Sequence, residues 1–239
     1  MKEKLLPIIL YHHLGLGDHI MCHGIVRQYC QLHRKVVTFA KEHNYDSVSF
    51  MYRDLENLEV IKGDDSIAKN YIKENPHVRV KCVGFGDLNP TSPLSLDKQF
   101  YQLAQVEFDH KYSSFNSLVR DPKKEEKLFN TLKPKSNSYI FCHDDPSRNM
   151  SINLKHKLPI IKASPTHTSC IFDYCKIIEE ASEIHVIDSS FFFLVDCLNY
   201  TNTNQSIFSH RYLRQHLFSS HIEIPHHQKD WKVLTKKPE

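Results

Sequence analysis

The sequence predicts an α/β protein made of two compact halves. Short apolar runs alternate with segments of helical periodicity along the 239 residues. This alternation is typical of βαβ units, whose parallel sheets are covered by helices on both faces. A charged stretch with prolines near residues 121–137 interrupts the pattern. About four strands fall on each side of it, so we expect two sheets rather than one large sheet.

The length and period of each run predict the individual elements. Short apolar runs bounded by turn signals predict these strands: Leu5–Leu10, Lys35–Phe39, Leu58–Ile61, Val78–Val83, Tyr139–Cys142, Pro159–Lys162, Glu183–Ile187 and Ser206–Ser209. Longer segments with apolar residues three and four positions apart predict these helices: Asp18–Leu32, Asp65–Glu74, Leu96–Gln105, Lys123–Leu132, Ile171–Ala181 and Ser190–Leu198. The last helix is apolar all round from Phe191 to Val195 and is therefore expected in a core.

The predicted domains are residues 1–125 and 134–224, followed by a tail at 225–239. The tail is polar apart from Trp231, Val233 and Leu234. This composition is compatible both with packing on the body of the protein and with fraying.

The composition of the chain argues against several classes of protein. The 31 basic and 28 acidic side chains nearly balance, which argues against a nucleic-acid-binding surface. The apolar run Leu5–Leu10 is shorter than the ~18 residues that cross a bilayer and shorter than a signal-peptide core, so we expect a cytoplasmic protein without a transmembrane segment. Seven cysteines with no C-x-x-C pair predict buried reduced thiols rather than disulfides or zinc ligands.

A glycine-rich turn separates the first strand from the first helix. Gly15 and Gly17 are expected to adopt positive φ and allow a ligand close to the backbone, beside the positive end of a helix. Their spacing, G-x-G-D, matches neither the dinucleotide fingerprint nor the P-loop. Asp18 could cap the helix or take a proton from a bound hydroxyl. The sequence leaves both roles open.

His19, His23 and Arg27 are spaced four residues apart and share one face of the predicted helix. A histidine pair at this spacing can bind zinc, but the glutamate of H-E-x-x-H is missing, and Arg27 would repel a cation. We therefore expect no metal, and interpret these residues as solvent-facing or acceptor-lining polar groups.

In the second half, two strands run into polar turns. His143 and Arg148 follow the strand Tyr139–Cys142. Arg148 could hold a phosphate through two hydrogen bonds, or pair with Asp144 or Asp145 at the surface.

The strand Glu183–Ile187 is followed by Asp188, Ser189 and Ser190. The two hydroxyls suit a helix N-cap and also a diphosphate at a helix N-terminus. Open α/β sheets bind ligands at the carboxyl ends of their strands. Two halves that face each other would hold a phosphorylated ligand in a cleft between them.

Taken together, these stretches resemble small GT-B-type glycosyltransferases related to the heptosyltransferases, found in bacterial and large-virus glycan clusters. HLGLGDHIMCHGIVRQY resembles their amino-terminal G-x-G-D-like turn with a downstream G-x-x-R, and EIHVIDSSFFFLVDCL resembles the segment that holds the donor diphosphate. The stretches LDKQFYQLAQVEFDHKYSSFNSLVRDPKKEEKLFNTL and YIFCHDDPSR are similar to the same members.

The resemblance implies two Rossmann-like domains and transfer of a sugar, with inversion and without a metal or other cofactor, from a nucleoside-diphosphate donor to a glycan or lipid-linked hydroxyl. It also implies that Asp18 is the general base. It places these residues near the donor: Gly15, Gly17, His143, Arg148, Asp188, Ser189 and Ser190. His19, His23 and Arg27 are assigned to the acceptor side.

Two other classes of function stay open at this point. One is a nucleotide- or glycan-binding module without catalysis. The other is a different enzyme on the same scaffold, such as a sugar-phosphate epimerase or a phosphotransferase, because fold alone does not determine function.

Overall fold

A computed structural model describes residues 5–213 and 226–236 of the chain. The described residues form two compact units. The first unit comprises the chain up to Val119 together with His226, and the second comprises the chain from Arg120, including the segment that begins at His227.

The first unit contains a four-stranded sheet. Its strands are β1 (Ile8–His12), β2 (Val36–Ala40), β3 (Leu58–Lys62) and β4 (Arg79–Val83). They lie in the order β3-β2-β1-β4, and every pair is parallel. Every residue of β1 and β2 is buried, as expected for central strands covered on both faces.

The helices of this unit are α1 (Leu16–Met21), α2 (His23–Leu32), α3 (Tyr45–Met51), α4 (Asp65–Glu74), α5 (Leu96–Ala104) and α6 (His110–Ser113).

The second unit contains a five-stranded sheet. Its strands are β5 (Ile140–His143), β6 (Ile160–Lys162), β7 (Glu183–Val186), β8 (Ser206–Ser209) and β9 (Trp231–Val233). They lie in the order β6-β5-β7-β8-β9, again with every pair parallel. The helices are α7 (Pro122–Leu132), α8 (Cys175–Glu180) and α9 (Ser190–Cys197).

The prediction of two parallel α/β sheets is confirmed, but the predicted helix Asp18–Leu32 is wrong. It is two helices, α1 and α2, separated at Cys22. A side chain at Gly24 would place its Cβ 2.1 Å from the carbonyl oxygen of His110. The start of α2 therefore packs backbone to backbone against α6, a contact that the periodicity of the sequence does not reveal.

The chain divides at Val119, just before the predicted linker at 121–137, and most of that linker is α7. Part of the tail forms β9, which pairs with β8. Trp231 is buried there: its ring centroid lies 4.5 Å from that of Phe192, and its Nε1 donates a hydrogen bond to Asp196. Residues 214–225 and 237–239 lie outside the described residues.

Two expectations from composition are tested within the described part of the chain. All seven cysteines lie there, six of them are buried, and no disulfide joins them. The helix Ser190–Cys197 is buried from Phe191 onward, as predicted for a core helix.

None of the helices described here combines the length and the apolar character that a bilayer-spanning segment needs.

A buried ion pair joins α5 to α6 in the first unit. Lys111 Nζ lies 2.5 Å from Asp97 Oδ2, and both side chains are fully buried. Lys111 also donates to the carbonyl of His226 at 2.7 Å, and Ser95 donates its hydroxyl to Asp97 at 2.6 Å. Hydrogen bonds therefore surround the two buried charges, which is the condition for their burial to be tolerated.

Asp97→Asn is expected to destabilise the protein by about 3–5 kcal/mol, because it leaves the buried charge of Lys111 without an opposite charge beside it. Glu59→Gln is the matched control, since Glu59 pairs with Lys35 at the surface and such pairs contribute about 0–1 kcal/mol. Urea unfolding at pH 7 measures both variants. Equal loss of stability in the two would contradict the role assigned to the buried pair.

Candidate functional site

The turn after β1 leads through His13 and Leu14 to the N-cap residue Gly15. Gly15 has φ −71° and ψ 145°, and Gly17 also lacks a positive φ, so the expectation of positive φ at both is wrong. A side chain at Gly15 would instead place its Cβ 2.5 Å from Oδ2 of Asp18. The glycine therefore makes room for the Asp18 carboxylate.

Asp18 is the third residue of α1 and is half-buried. It is thus not the N-cap residue, although its carboxylate folds back over the first turn, where the helix dipole favours a negative charge. This position lies at the carboxyl edge of the first sheet, since α1 directly follows β1. The carboxylate accordingly lies beside Gly15, at the edge where α/β sheets bind ligands.

His19 is buried inside the first unit, which corrects the expectation of a solvent-facing or acceptor-lining group. Its ring centroid lies 4.6 Å from that of the buried His12. Neither ring nitrogen of His19 has a hydrogen-bond partner among the described residues. Burial lowers the pKa of His19 well below its usual value and that of His12 to about 4. Both imidazoles are therefore neutral at pH 7.

His23 and Arg27 are likewise buried and belong to a packing network rather than to a surface. Arg27 donates from Nε to His23 Nε2 at 2.9 Å, and its two terminal nitrogens hold both oxygens of Asp54 at 2.7 and 2.8 Å. The His23 ring stacks on Tyr52 with centroids 5.5 Å apart. Together with Gly24, this explains the G-x-x-R motif by internal packing.

In the second unit, the structure brings together residues from two adjacent strand ends. Ser189, the N-cap residue of α9, lies with its hydroxyl 3.0 Å from Nδ1 of His143 at the end of β5. The His143 ring also packs on Phe191, with centroids 4.4 Å apart. Burial lowers the pKa of His143 to about 4, so a neutral imidazole and a hydroxyl face each other at this edge. Ser190, the first residue of α9, is half-buried.

Arg148 lies in a 3₁₀ turn, Pro146–Arg148, just beyond β5. Its Nε donates to Asp145 Oδ2 at 2.6 Å, and its side chain is 56% exposed. The surface pairing foreseen for Arg148 is therefore present. Its charge is also close enough to His143 to contribute to the lowered pKa of that imidazole, so Arg148 belongs to the same edge.

Asp188 is buried at the end of β7 and holds neighbouring side chains. It accepts hydrogen bonds from the hydroxyl of Ser209 and from Arg211, whose Nη1 lies 2.5 Å away. The carboxylate thus ties the end of β7 to the end of β8. An anionic ligand would meet the hydroxyls of Ser189 and Ser190 rather than this ion-paired carboxylate.

Sequence reasoning missed two cations at the same edge. Lys162, the last residue of β6, pairs with Asp144 at 2.8 Å, and Arg211 follows β8. Each lies at the end of a predicted strand or just after it. His143 and Ser189 were predicted from the same position relative to a strand, so that position also identifies both cations. Within residues 5–213 and 226–236, no group of three or more His, Cys, Asp or Glu side chains converges to hold a metal ion.

No protein-family model matches the sequence, and no curated protein matches it. Solved structures do share its fold. The iron-containing dodecameric glycosyltransferase TibC from enterotoxigenic E. coli has a TM-score of 0.52 at 10% identity, over 88% of this chain and 60% of that one. A heptosyltransferase TibC structure in complex with ADP-D-beta-D-heptose has a TM-score of 0.51 at 10% identity, over 88% and 59% of the two chains.

A glycosyl transferase of family 9 from Veillonella parvula has a TM-score of 0.50 at 8% identity, over 98% of this chain and 88% of that one. The present chain therefore spans about 60% of the length of TibC and most of the length of the Veillonella protein. At these identities the likeness is one of fold. TibC is described as iron-containing, which is a property of that protein.

The buried imidazoles predict a marked acid sensitivity. Below pH ~6.5, the unfolded chain binds protons that His12, His19 and His23 do not bind when folded. The free energy of unfolding should therefore fall as the pH is lowered from about 6.5 toward 4, by about 1.4 kcal/mol per pH unit for each such proton. Urea unfolding across this range measures the slope.

His19→Leu should make this slope shallower, because it removes one of the histidines whose pKa burial lowers. The control is His77→Leu, since His77 is exposed and should leave the slope unchanged. A His19→Leu slope identical to that of the original protein would show that His19 is not held neutral by burial.

Proposed function

We propose that the protein is a glycosyltransferase that moves a sugar from a nucleoside-diphosphate donor to a hydroxyl of a glycan or lipid-linked acceptor. The observation that carries the proposal is the edge of the second sheet, where His143 meets Ser189 at the N-terminus of α9 and Arg148 follows β5. This is an array of hydrogen-bond donors and positive charge suited to a diphosphate. The fold shared with TibC and the Veillonella glycosyl transferase supports the same conclusion.

In the proposed donor site, the diphosphate accepts hydrogen bonds from Ser189, Ser190 and the first backbone N–H groups of α9. Arg148 lies beyond the end of β5 and is exposed, so it can turn from Asp145 toward the phosphates. These groups stabilise the charge that develops on the leaving diphosphate as its bond to the anomeric carbon breaks. Since one TibC structure is a complex with ADP-heptose, an ADP-linked sugar is the first donor to test.

In the proposed reaction, the acceptor oxygen attacks the anomeric carbon while its proton passes to the carboxylate of Asp18. One bond forms to the acceptor oxygen and one breaks to the diphosphate oxygen, so a single displacement inverts the configuration. Gly15 supports this role because it leaves room for the carboxylate. Charge on the donor is balanced by side chains and backbone N–H groups, and the proposal includes no metal ion or other cofactor.

Asp18→Asn is expected to lower the rate of transfer by about 10²–10⁴-fold, which is the usual contribution of a general base. Donor binding should persist. The assay detects released nucleoside diphosphate and glycosylated product by mass spectrometry with a panel of oligosaccharide acceptors. Asp46→Asn is a matched control, because Asp46 also lies in the first turn of a helix of this unit. Unchanged turnover in Asp18→Asn would contradict the assignment of Asp18 as the general base.

A nucleoside diphosphate should stabilise the protein against thermal unfolding, by about 2.7 kcal/mol at 100 times its dissociation constant. The diphosphates UDP, GDP, ADP and dTDP and the monophosphate CMP are compared with and without EDTA, and the shift should not depend on EDTA. Arg148→Gln and Ser190→Ala should reduce the shift, whereas Lys157→Gln, at an exposed lysine of the same unit, should not. A shift abolished by EDTA, or one that survives in Arg148→Gln and Ser190→Ala, would contradict the proposed donor site.

A further inference from the structure

The turn after β4 holds an aromatic residue in a strained backbone conformation. Gly84 has φ +96° and Phe85 has φ +57°, and the left-handed region is unfavourable for a bulky side chain. The other non-glycine residues described with positive φ are Gln105, at the C-cap of α5, and Asn149. Phe85 is the aromatic residue among these three. Residues with strained backbone conformations cluster at ligand sites.

Two aromatic neighbours hold the turn in this conformation. His13 Nε2 accepts a hydrogen bond from the backbone N–H of Phe85 at 2.8 Å, and the two rings have centroids 4.5 Å apart. The ring of Tyr11 lies 4.6 Å from that of Phe85. A side chain at Gly84 would place its Cβ 2.9 Å from His13, so this packing needs a glycine beside Phe85.

Burial in the core does not account for Phe85, because the residue is 38% exposed. The neighbouring Gly86 is open, and an added Cβ there would meet no atom within 4 Å. Since β4 pairs in parallel with β1, the turn lies at the same edge of the sheet as the turn that carries Asp18. Phe85 therefore lies partly exposed, beside the rings of Tyr11 and His13, at the carboxyl edge of the first sheet, where α/β sheets bind ligands.

Two carboxylates near this turn indicate which kind of ligand suits the Phe85 ring. The hydroxyl of Tyr11 donates to Asp65 at 2.6 Å, and Asp87, two residues after Phe85, is exposed. Carboxylates disfavour a phosphate or another anion and accept hydrogen bonds from hydroxyl groups. The C–H face of a pyranose can stack on the negative face of an aromatic ring. The surroundings of Phe85 therefore suit an uncharged sugar.

We infer that Phe85 is a stacking platform for an uncharged sugar ring of the acceptor, held open by the strained Gly84–Phe85 turn. The assignment of that sugar to an acceptor rests on the proposed function. Phe85 is a specificity-determining residue in this scheme, since it contacts the acceptor and takes no part in proton transfer.

The test uses the full chain labelled with ¹³C-phenylalanine and titrated with methyl glycosides of glucose, galactose, mannose and N-acetylglucosamine. At least one should shift the Phe85 ring resonances, which are assigned from their loss in Phe85→Trp. Phe85→Trp should keep the affinity for that glycoside. Phe85→Asn should weaken it about tenfold, as expected for the loss of an aromatic stacking contact.

Phe85→Asn also tests the origin of the strain. Asparagine tolerates positive φ, so the relief of strain in this variant should offset the loss of the ring contacts with Tyr11 and His13. Thermal unfolding of the variant shows whether it is folded, so that weaker binding is not ascribed to misfolding. Ile67→Ala is the control, since Ile67 is another exposed apolar residue of the unit, and it should leave sugar binding unchanged. Unshifted Phe85 resonances, or equal sugar affinity in Phe85→Asn, would overturn the inference.

The two proposals can fail separately. Stabilisation by a nucleoside diphosphate with no sugar effect at Phe85 would overturn the platform and leave the proposed function standing. Sugar binding at Phe85 with no stabilisation by any nucleoside diphosphate would support the platform and overturn the donor site.

Discussion

Parallel strand pairing is the constraint on which both candidate sites depend. Each strand must be followed by a crossover before the next parallel strand can begin, so the carboxyl ends of all strands in a sheet gather at one edge. In the first sheet this edge carries the turns with Asp18 and Phe85. In the second sheet it carries His143 at the end of β5, Lys162 at the end of β6, and Ser189 after β7. Residues far apart in sequence become neighbours for this reason alone.

Charge at the edge of the second sheet is balanced in pairs. Arg148 pairs with Asp145, Lys162 with Asp144, and Arg211 with Asp188. The arginine of the buried pair is fixed, whereas Arg148 and Lys162 are more than half exposed. A diphosphate would therefore compete with an aspartate for each exposed cation. It would not compete with a carboxylate for the neutral donors, which are Ser189, Ser190 and the backbone N–H groups of α9.

The first unit buries several polar side chains that the sequence suggested would lie at its surface. His19 and His23 look like surface or ligand groups by residue type, yet both are buried and their pKa values are lowered by burial. Arg27 is neutralised by Asp54. The carboxylate of Asp18 lies at the edge because α1 starts at Leu16. This start places Asp18 beside Gly15 and turns the next residue, His19, into the interior.

The fold class, the eight predicted strands and the two turns that carry Asp18 and Ser189 could all be predicted from the sequence. These features depend on local periodicity and on the residue types that follow a buried strand. Four further features emerge only in the folded chain: the break at Cys22, the burial of the histidines, the strand β9 and the strained conformation of Phe85. Each of these depends on contacts between segments distant in sequence, such as Gly24 against His110 and Phe85 against His13, and no local pattern records them.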